Sequence, residues 1–124
     1  MGFQWAEFLA LAQELVDTIA GATSAEATCR TAISRAYYAA FHHARDFLNT
    51  RVPIPRSDVT HQAVIMLFRT SSKDDWRHIA DQLDRLHRSR KRSDYDAGAM
   101  SKPKRDADIA LEIARDIIDS VSKL

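Results

Sequence analysis

The stretch from Trp76 to Ala97 constrains the fold most, because one face of it changes from apolar to ionic. Its apolar residues recur three and four positions apart, as on one face of a helix: Trp76, Ile79, Leu83 and Leu86. The next two positions on that face are Arg90 and Asp94. Charged side chains at core-facing positions are unfavourable unless they pair or take part in function. The pattern predicts one long helix in which Arg90 and Asp94 are buried and paired, one turn apart.

The same helix carries a cluster of further basic residues, namely Arg85, Arg88, Lys91 and Arg92. Arg85, Arg88 and Arg92 fall on another side of the helix, together with Tyr95. The net charge of the chain is only +1, so overall charge gives no argument for nucleic-acid or membrane binding. A local patch of this kind is commonly a solvated helix end, and the alternative is an anion-binding surface.

Helical spacing of apolar residues also appears in the rest of the chain, and no segment alternates with period two. The predicted helices cover about residues 3 to 20, 23 to 49, 57 to 68, 74 to 97 and 103 to 121. Thr23 and Glu26 form a capping box, Ser57 or Asp58 caps the short third helix, and Gly98 ends the fourth. The 124 residues suffice for one domain. We therefore predict an all-α single domain, an antiparallel up-and-down bundle of four main helices plus a short one.

Residues Ala36 to Ala44, AYYAAFHHA, carry no formal charge on any face of the second helix. A helix that is apolar or aromatic all round is covered by its own fold on one side and by something else on the other. Alanine also allows close helix approach. We therefore expect a homodimer that buries this helix, with contacts from Tyr37, Tyr38, Phe41 and His42.

Motifs of familiar chemistry are absent from the sequence, which has no glycine-rich phosphate loop, nucleophile elbow or cysteine pair for zinc. The adjacent His42 and His43 point about 100° apart on a helix, so ring packing is favoured over metal binding. No metal or cofactor is predicted. The single Cys29 excludes an internal disulfide, and the N-terminus has no signal-peptide pattern or membrane span. We expect a cytoplasmic protein that does not enter the membrane.

Three segments of the chain form a recognisable set, namely SRAYYAAFH from Ser34 to His42, Thr60-His61 with AVIMLF from Ala63 to Phe68, and Leu86 with RKRSDY from Arg90 to Tyr95. Together they resemble the HEPN superfamily, in particular its small stand-alone bacterial and archaeal proteins. Their order and spacing match from about residue 30 to residue 97. The resemblance implies a helical bundle that dimerises and, in many members, cleaves RNA without a metal.

Ribonuclease members of this superfamily carry an arginine followed after four to six residues by a histidine, and two subunits bring two such motifs into one cleft. The resemblance places Arg90 at the arginine and Tyr95 at the histidine, whereas an alternative register uses Arg88 with Ser93. Neither register contains a histidine. Tyrosine, with a pKa near 10, is a poor general acid or base at neutral pH compared with imidazole. The candidate catalytic residues are therefore Arg90, Asp94 and Tyr95, with at most slow cleavage.

Three functions remain open at this point. The first is binding of RNA or a nucleotide, within a toxin–antitoxin or defence system, by the nucleic-acid contacts Arg85, Arg88, Lys91 and Arg92 beside Arg90. The second is a ribonuclease in which Arg90 works with Tyr95 or with a histidine from another helix or subunit, such as His42 or His87. The third is a protein-interaction module that partners a minimal nucleotidyltransferase, with Tyr95 as an acceptor of modification.

Overall fold

The chain folds into a bundle of helices, seen in a computed structural model that describes residues 2–19, 25–52 and 61–124. The helices are α1 (Ala6–Asp17), α2 (Ala25–Asn49), α3 (His61–Arg69), α4 (Asp74–Tyr95) and α5 (Pro103–Ser122). Since these residues contain no strand, the predicted all-α bundle is confirmed. The predicted capping box at Thr23 and the predicted start of the third helix at Ser57 or Asp58 lie outside the described residues.

Two helix ends differ from the predicted positions. α1 stops at Asp17 rather than near residue 20, because Thr18 leaves the helical conformation and its backbone N–H and hydroxyl both bond to the Glu14 carbonyl. α4 stops at Tyr95, before Gly98, because Asp96 adopts an extended backbone. The Asp96 carboxylate then accepts a bond from the Gly98 N–H at 2.8 Å. Helix α4 therefore ends through an aspartate turn, without the left-handed glycine that often closes helices.

The core forms around α2, although the ionic pattern of α4 had made that helix the expected organising element. α2 packs extensively against α1, α4 and α5 and more briefly against α3. The buried residues of α2 cover most of its circumference and leave one half-buried strip through Arg35, Tyr38 and His42. They are Cys29, Ala32, Ile33, Ser34, Ala36, Tyr37, Ala39, Ala40, Phe41, Ala44 and Leu48. Many are alanines, whose small side chains let several helices approach one central helix closely.

The uncharged segment of α2 is covered by the chain's own helices. Tyr37 is 0% exposed and Phe41 is 4% exposed, so these two side chains leave almost no surface for a partner. Packing within the chain thus already covers two of the four predicted interface residues, and the dimer interface itself stays a prediction. Tyr38 and His42 are half-buried and keep surface that a partner could reach.

The apolar stripe predicted for α4 is confirmed as far as Leu86. Ile79, Leu83 and Leu86 are fully buried, and Trp76 is half-buried at the start of the helix. The Trp76 ring lies 5.2 Å from the ring of Phe68, which fixes α4 against α3. None of the helices described is long and apolar enough to cross a membrane.

Candidate functional site

Arg90 extends the buried stripe of α4 one turn beyond Leu86. Its side chain is 8% exposed, and Nη1 donates a hydrogen bond to Asp94 Oδ2 at 3.3 Å. The predicted pairing and the predicted burial of Arg90 are both confirmed. The predicted burial of Asp94 is wrong, because its side chain is 28% exposed. Asp94 begins the exposed run of residues 94–99, where the chain leaves the cover of the other helices.

Three tyrosine rings surround the guanidinium group of Arg90. The Arg90 Cζ atom lies 5.6 Å, 5.5 Å and 5.7 Å from the ring centres of Tyr37, Tyr38 and Tyr95. These distances are within the range of cation–π attraction. Burial works to lower the pKa of Arg90, but the hydrogen bond to Asp94, the interaction with Tyr38 and the hydrogen bond to Tyr95 together outweigh it and raise the pKa. Arg90 therefore stays charged inside the bundle.

Two histidines pack against the inner side of Tyr37. His87 lies one turn before Arg90 and stacks on Tyr37 and on His61 of α3, with ring centres 5.2 Å and 4.8 Å apart. A hydrogen bond joins the Tyr37 hydroxyl to His61 Nδ1. Burial, together with the charges of His61, Lys91 and Arg90, lowers the pKa of His87 to about 4. Burial and the charges of Arg90 and Lys91 also lower the pKa of His61, so both rings are neutral at pH 7.

Two buried nitrogen atoms in this region have no hydrogen-bond partner within the described residues. They are Arg90 Nε and His87 Nδ1. Buried polar groups are nearly always paired in folded proteins, and leaving one unpaired costs about 1–3 kcal/mol. Such unpaired groups are uncommon in stable interiors and more frequent at functional sites, so they single out the surroundings of Arg90 for closer attention.

Helix α2 contributes a serine and an arginine to the outer part of this region. Ser34 Oγ donates to Asp94 Oδ2 at 3.3 Å, and Arg35 Nη2 donates to Ser34 Oγ at 3.3 Å. The Arg35 Cζ atom lies 5.0 Å from the Tyr38 ring centre. We call the whole assembly the Arg90 site, formed by Ser34, Arg35, Tyr37, Tyr38, His61, His87, Arg90, Asp94 and Tyr95.

The site brings together the three separate segments that carried the resemblance. Ser34, Arg35 and Tyr37 come from the first of them, His61 from the second and Arg90 from the third. Reasoning from the sequence did not assign a role to Ser34 or His61. Only their position inside the matching segments could have suggested a role for Ser34 and His61, because their distance from Arg90 along the sequence follows no recognised motif.

The other basic residues of α4 divide between two faces of the helix. Arg85, Arg88 and Arg92 line a groove of about 290 Å³ between α4 and α5 and do not join the Arg90 site. Arg88 is paired there with Asp84 at 3.3 Å. Lys91 does not line this groove, and its charge helps to lower the pKa of both His61 and His87.

Tyr95 lies beside Arg90, although helical spacing had grouped it with the arginines on the other face. It is the last residue of α4, and long helical side chains cover the turn that precedes them, which brings its ring back over Arg90. Its surface is 77% exposed. Tyr95 therefore presents a phenol to solvent at the edge of the site.

His42 lies on the far side of Tyr38 and is occupied by ring packing. Its ring stacks on Trp5 at 3.7 Å between ring centres and on Tyr38 at 5.9 Å. The neighbouring His43 instead contacts Ser122 Oγ of α5 at 3.1 Å through Nε2. Across the described part of the chain, no three histidine, cysteine, aspartate or glutamate side chains are grouped to hold a metal ion.

Comparison with known proteins agrees with the resemblance seen in the sequence. A family model described as HEPN domain matches residues 12–124, from within α1 to just beyond the end of α5, and includes every residue of the Arg90 site. Neither the curated proteins nor the solved structures contain a match to this chain. The family match spans most of the 124 residues, and the chain therefore belongs to the HEPN domain family.

Proposed function

We propose that this chain is a homodimeric HEPN domain that binds RNA or a nucleotide through a phosphate group at the Arg90 site. The observation that carries the proposal is the state of Arg90. Asp94 and the tyrosine rings hold its guanidinium in place, yet Arg90 Nε has no partner within the described residues. Phosphate oxygens are favoured acceptors for such a group, because a guanidinium offers forked, charge-assisted hydrogen bonds.

The exposed cations of α4 support binding of a chain of phosphates. Arg85, Arg88, Lys91 and Arg92 are all exposed, as contacts to an RNA backbone need to be. Since they lie on two faces of the helix, we assign Lys91 to the phosphate at the Arg90 site and the three arginines to flanking phosphates. Each neutralised phosphate releases counterions, so binding of this type weakens as salt rises.

Cleavage of RNA is the smaller part of the proposal. Tyr95 is accessible and adjacent to Arg90, but a phenol is a less effective proton donor or acceptor than imidazole at neutral pH. We therefore assign the site at most slow, metal-independent ribonuclease activity, with Arg90, Asp94 and Tyr95 as its residues. Such an activity would suit a component of a toxin–antitoxin or defence system.

The exposed phenol of Tyr95 also favours a second candidate function. A protein-interaction module that partners a minimal nucleotidyltransferase could accept a nucleotide on this hydroxyl, which is 77% exposed. Incubation with such an enzyme and a nucleoside triphosphate should then add one nucleotide mass to the chain. Tyr95→Phe should stay unmodified, whereas Tyr38→Phe, a control inside the site, should still be modified.

The test of the main proposal is retention of a panel of labelled RNAs on native gels at two salt concentrations. Wild type should retain RNA at low salt, and Arg90→Lys should bind at least about tenfold more weakly because it loses the forked contact. Arg77→Lys is the matched control, since Arg77 lies at the other end of the same helix and is bonded to Asp74. Failure of wild type to retain any RNA at low salt would overturn the proposal.

A further inference from the structure

Among the described histidines, only His61 lies at the start of a helix, as the first residue of α3. Its ring centre lies 4.5 Å from that of Phe41 and 4.8 Å from that of His87. The hydrogen bond with Tyr37 anchors its Nδ1 atom. A ring held by these stacked neighbours and by one hydrogen bond cannot rotate freely, so its orientation is fixed.

Comparison of the three histidines near Arg90 singles out His61. His87 is 5% exposed and lies behind Tyr37, so a bound ligand cannot reach it. His42 is stacked on Trp5 and lies beyond Tyr38. His61 is only half-buried and shares with Arg90 a direct contact to Tyr37.

We propose that His61 is the proton acceptor of the Arg90 site and replaces the histidine that α4 lacks. This inference rests on the proposed function. In this assignment Nδ1–H donates to the Tyr37 oxygen, which leaves the lone pair of Nε2 free for substrate. The Tyr37 hydroxyl suits the role because a hydroxyl can accept this bond, and burial raises its own pKa so that it stays neutral.

The proposed step is cleavage of RNA by its own 2′-hydroxyl. His61 Nε2 takes the proton of the 2′-hydroxyl, and the 2′-oxygen bonds to phosphorus as the bond from phosphorus to the 5′-oxygen breaks. The Tyr95 phenol gives a proton to the leaving 5′-oxygen, and Arg90 stabilises the charge on the phosphoryl oxygens. The products are a 2′,3′-cyclic phosphate and a 5′-hydroxyl, and solvent returns the proton from His61 to Tyr95.

The surroundings of His61 set the expected pH dependence of this step. Tyr37, Tyr38 and His42 face it from α2, and His87, Arg90 and Lys91 face it from α4. Burial and the cations Arg90 and Lys91 lower the pKa of His61, so the proton acceptor is neutral at pH 7. Cleavage should therefore rise as pH increases through the acid range and level off below neutrality.

The test compares wild type with His61→Asn, whose amide can keep the bond to Tyr37 but has nothing at the position of Nε2. In a chelator, wild type should release a 2′,3′-cyclic phosphate, and His61→Asn should cleave at least about a hundredfold more slowly with unchanged RNA retention. His78→Asn, at an exposed histidine of α4 outside the Arg90 site, should cleave like wild type. An RNA with 2′-deoxyribose at the cleaved position should bind without being cut.

Several outcomes would overturn the role of His61. One is His61→Asn cleaving at the wild-type rate with the wild-type pH profile. Another is nitrogen NMR showing the His61 proton on Nε2 rather than on Nδ1. RNA retained by wild type without any cyclic phosphate would also remove the role but leave the proposed binding function intact. Absence of RNA retention would overturn both.

Discussion

The charged guanidinium of Arg90 loses hydration inside the bundle, and contacts with neighbouring side chains offset the free-energy cost of that loss. Each ring contact contributes about 0.5–2 kcal/mol, depending on how dry it is. Asp94 contributes less than a fully buried partner would, because its side chain is 28% exposed and water screens the attraction. The Arg90–Asp94 pair is therefore intermediate between a surface ion pair, which contributes at most about 1 kcal/mol, and a fully buried ion pair.

Replacement of Arg90 by alanine should lower the free energy of unfolding by about 1–3 kcal/mol, since it removes the ring contacts and one partner of Asp94. Chemical denaturation followed by circular dichroism measures the change. Arg88→Ala is the control, because Arg88 is an exposed arginine of the same helix paired with Asp84. It should change stability by less than about 0.5 kcal/mol. Equal stability of Arg90→Ala and wild type would contradict the packing described for Arg90.

Buried histidines should make the protein sensitive to mild acid. The folded-state pKa values of His87 and His42 are about 4, below the ordinary value of 6.5. Between pH 6.5 and pH 4 the unfolded chain binds more protons than the folded chain. The contribution of these histidines to the free energy of unfolding is therefore fully present above pH 6.5 and is lost as the pH falls toward 4. One histidine contributes a slope of up to about 1.4 kcal/mol per pH unit.

His87→Gln should reduce this slope, because it removes one of the histidines whose pKa is lowered by burial. Melting temperatures recorded between pH 7 and pH 4 give the slope for each variant relative to its own value at pH 7. His78→Gln, at an exposed site on α4, should keep the wild-type slope. An unchanged slope in His87→Gln would show that His87 is not buried in the neutral form.

At the scale of elements, Arg30 of α2 holds the C-terminal end of α4 in place. Its Nη1 donates to the carbonyls of Ser93 at 2.9 Å and Asp96 at 2.7 Å, and its Nη2 donates to that of Gly98 at 2.8 Å. Its Nε is bonded to Glu26 at 3.1 Å. The last carbonyls of a helix lack partners within the helix, and a cation there is also favoured by the helix dipole. The contacts position the turn from which Asp94 and Tyr95 reach the Arg90 site.

Arg30→Lys should therefore destabilise the end of α4 more than its charge-conserving nature suggests. One ammonium group cannot satisfy this set of carbonyls, so we expect a loss of about 1–3 kcal/mol and faster hydrogen exchange at the Asp96 amide. Arg45→Lys is the control on the same helix, because Arg45 contacts only its neighbour Asp46 in the described ion pairs. Exchange that stays at the wild-type rate in Arg30→Lys would contradict this role.

At the scale of the whole molecule, the helices pack around α2 and leave only a small part of it for the proposed dimer. Tyr38 and His42 are the two predicted contacts of α2 that remain partly accessible. A stable homodimer interface usually buries more than about 1,200 Å² in total. Residues of α2 alone cannot supply this area, so neighbouring helices must contribute most of it.

Light scattering at micromolar concentration should give twice the 14.0 kDa mass of one chain. Tyr38→Glu should shift the mass toward that of a monomer, because it places a charge on the proposed interface. Met66→Glu, at an exposed position of α3, is the control and should remain dimeric. A wild-type monomer under these conditions would remove the homodimer from the proposal.

The spacing of residues along the chain was enough to predict the helices and one of the ion pairs of this protein. The number and type of helices follow from apolar residues at helical intervals, and the pairing of Arg90 with Asp94 follows from their separation by one turn. The division of the basic residues between two faces of α4 also follows from this periodicity, since it depends on positions within a single helix.

Only the tertiary structure decided which helices cover which faces. The uncharged segment of α2 predicts that this helix is buried, but its covering could come from another subunit or from the same chain. The structure shows that the other four helices of the same chain pack around α2. The approach of His61 to Tyr37 joins residues 24 positions apart on different helices. No local pattern encodes such a contact, because it depends on how α3 packs against α4 and how α4 packs against α2.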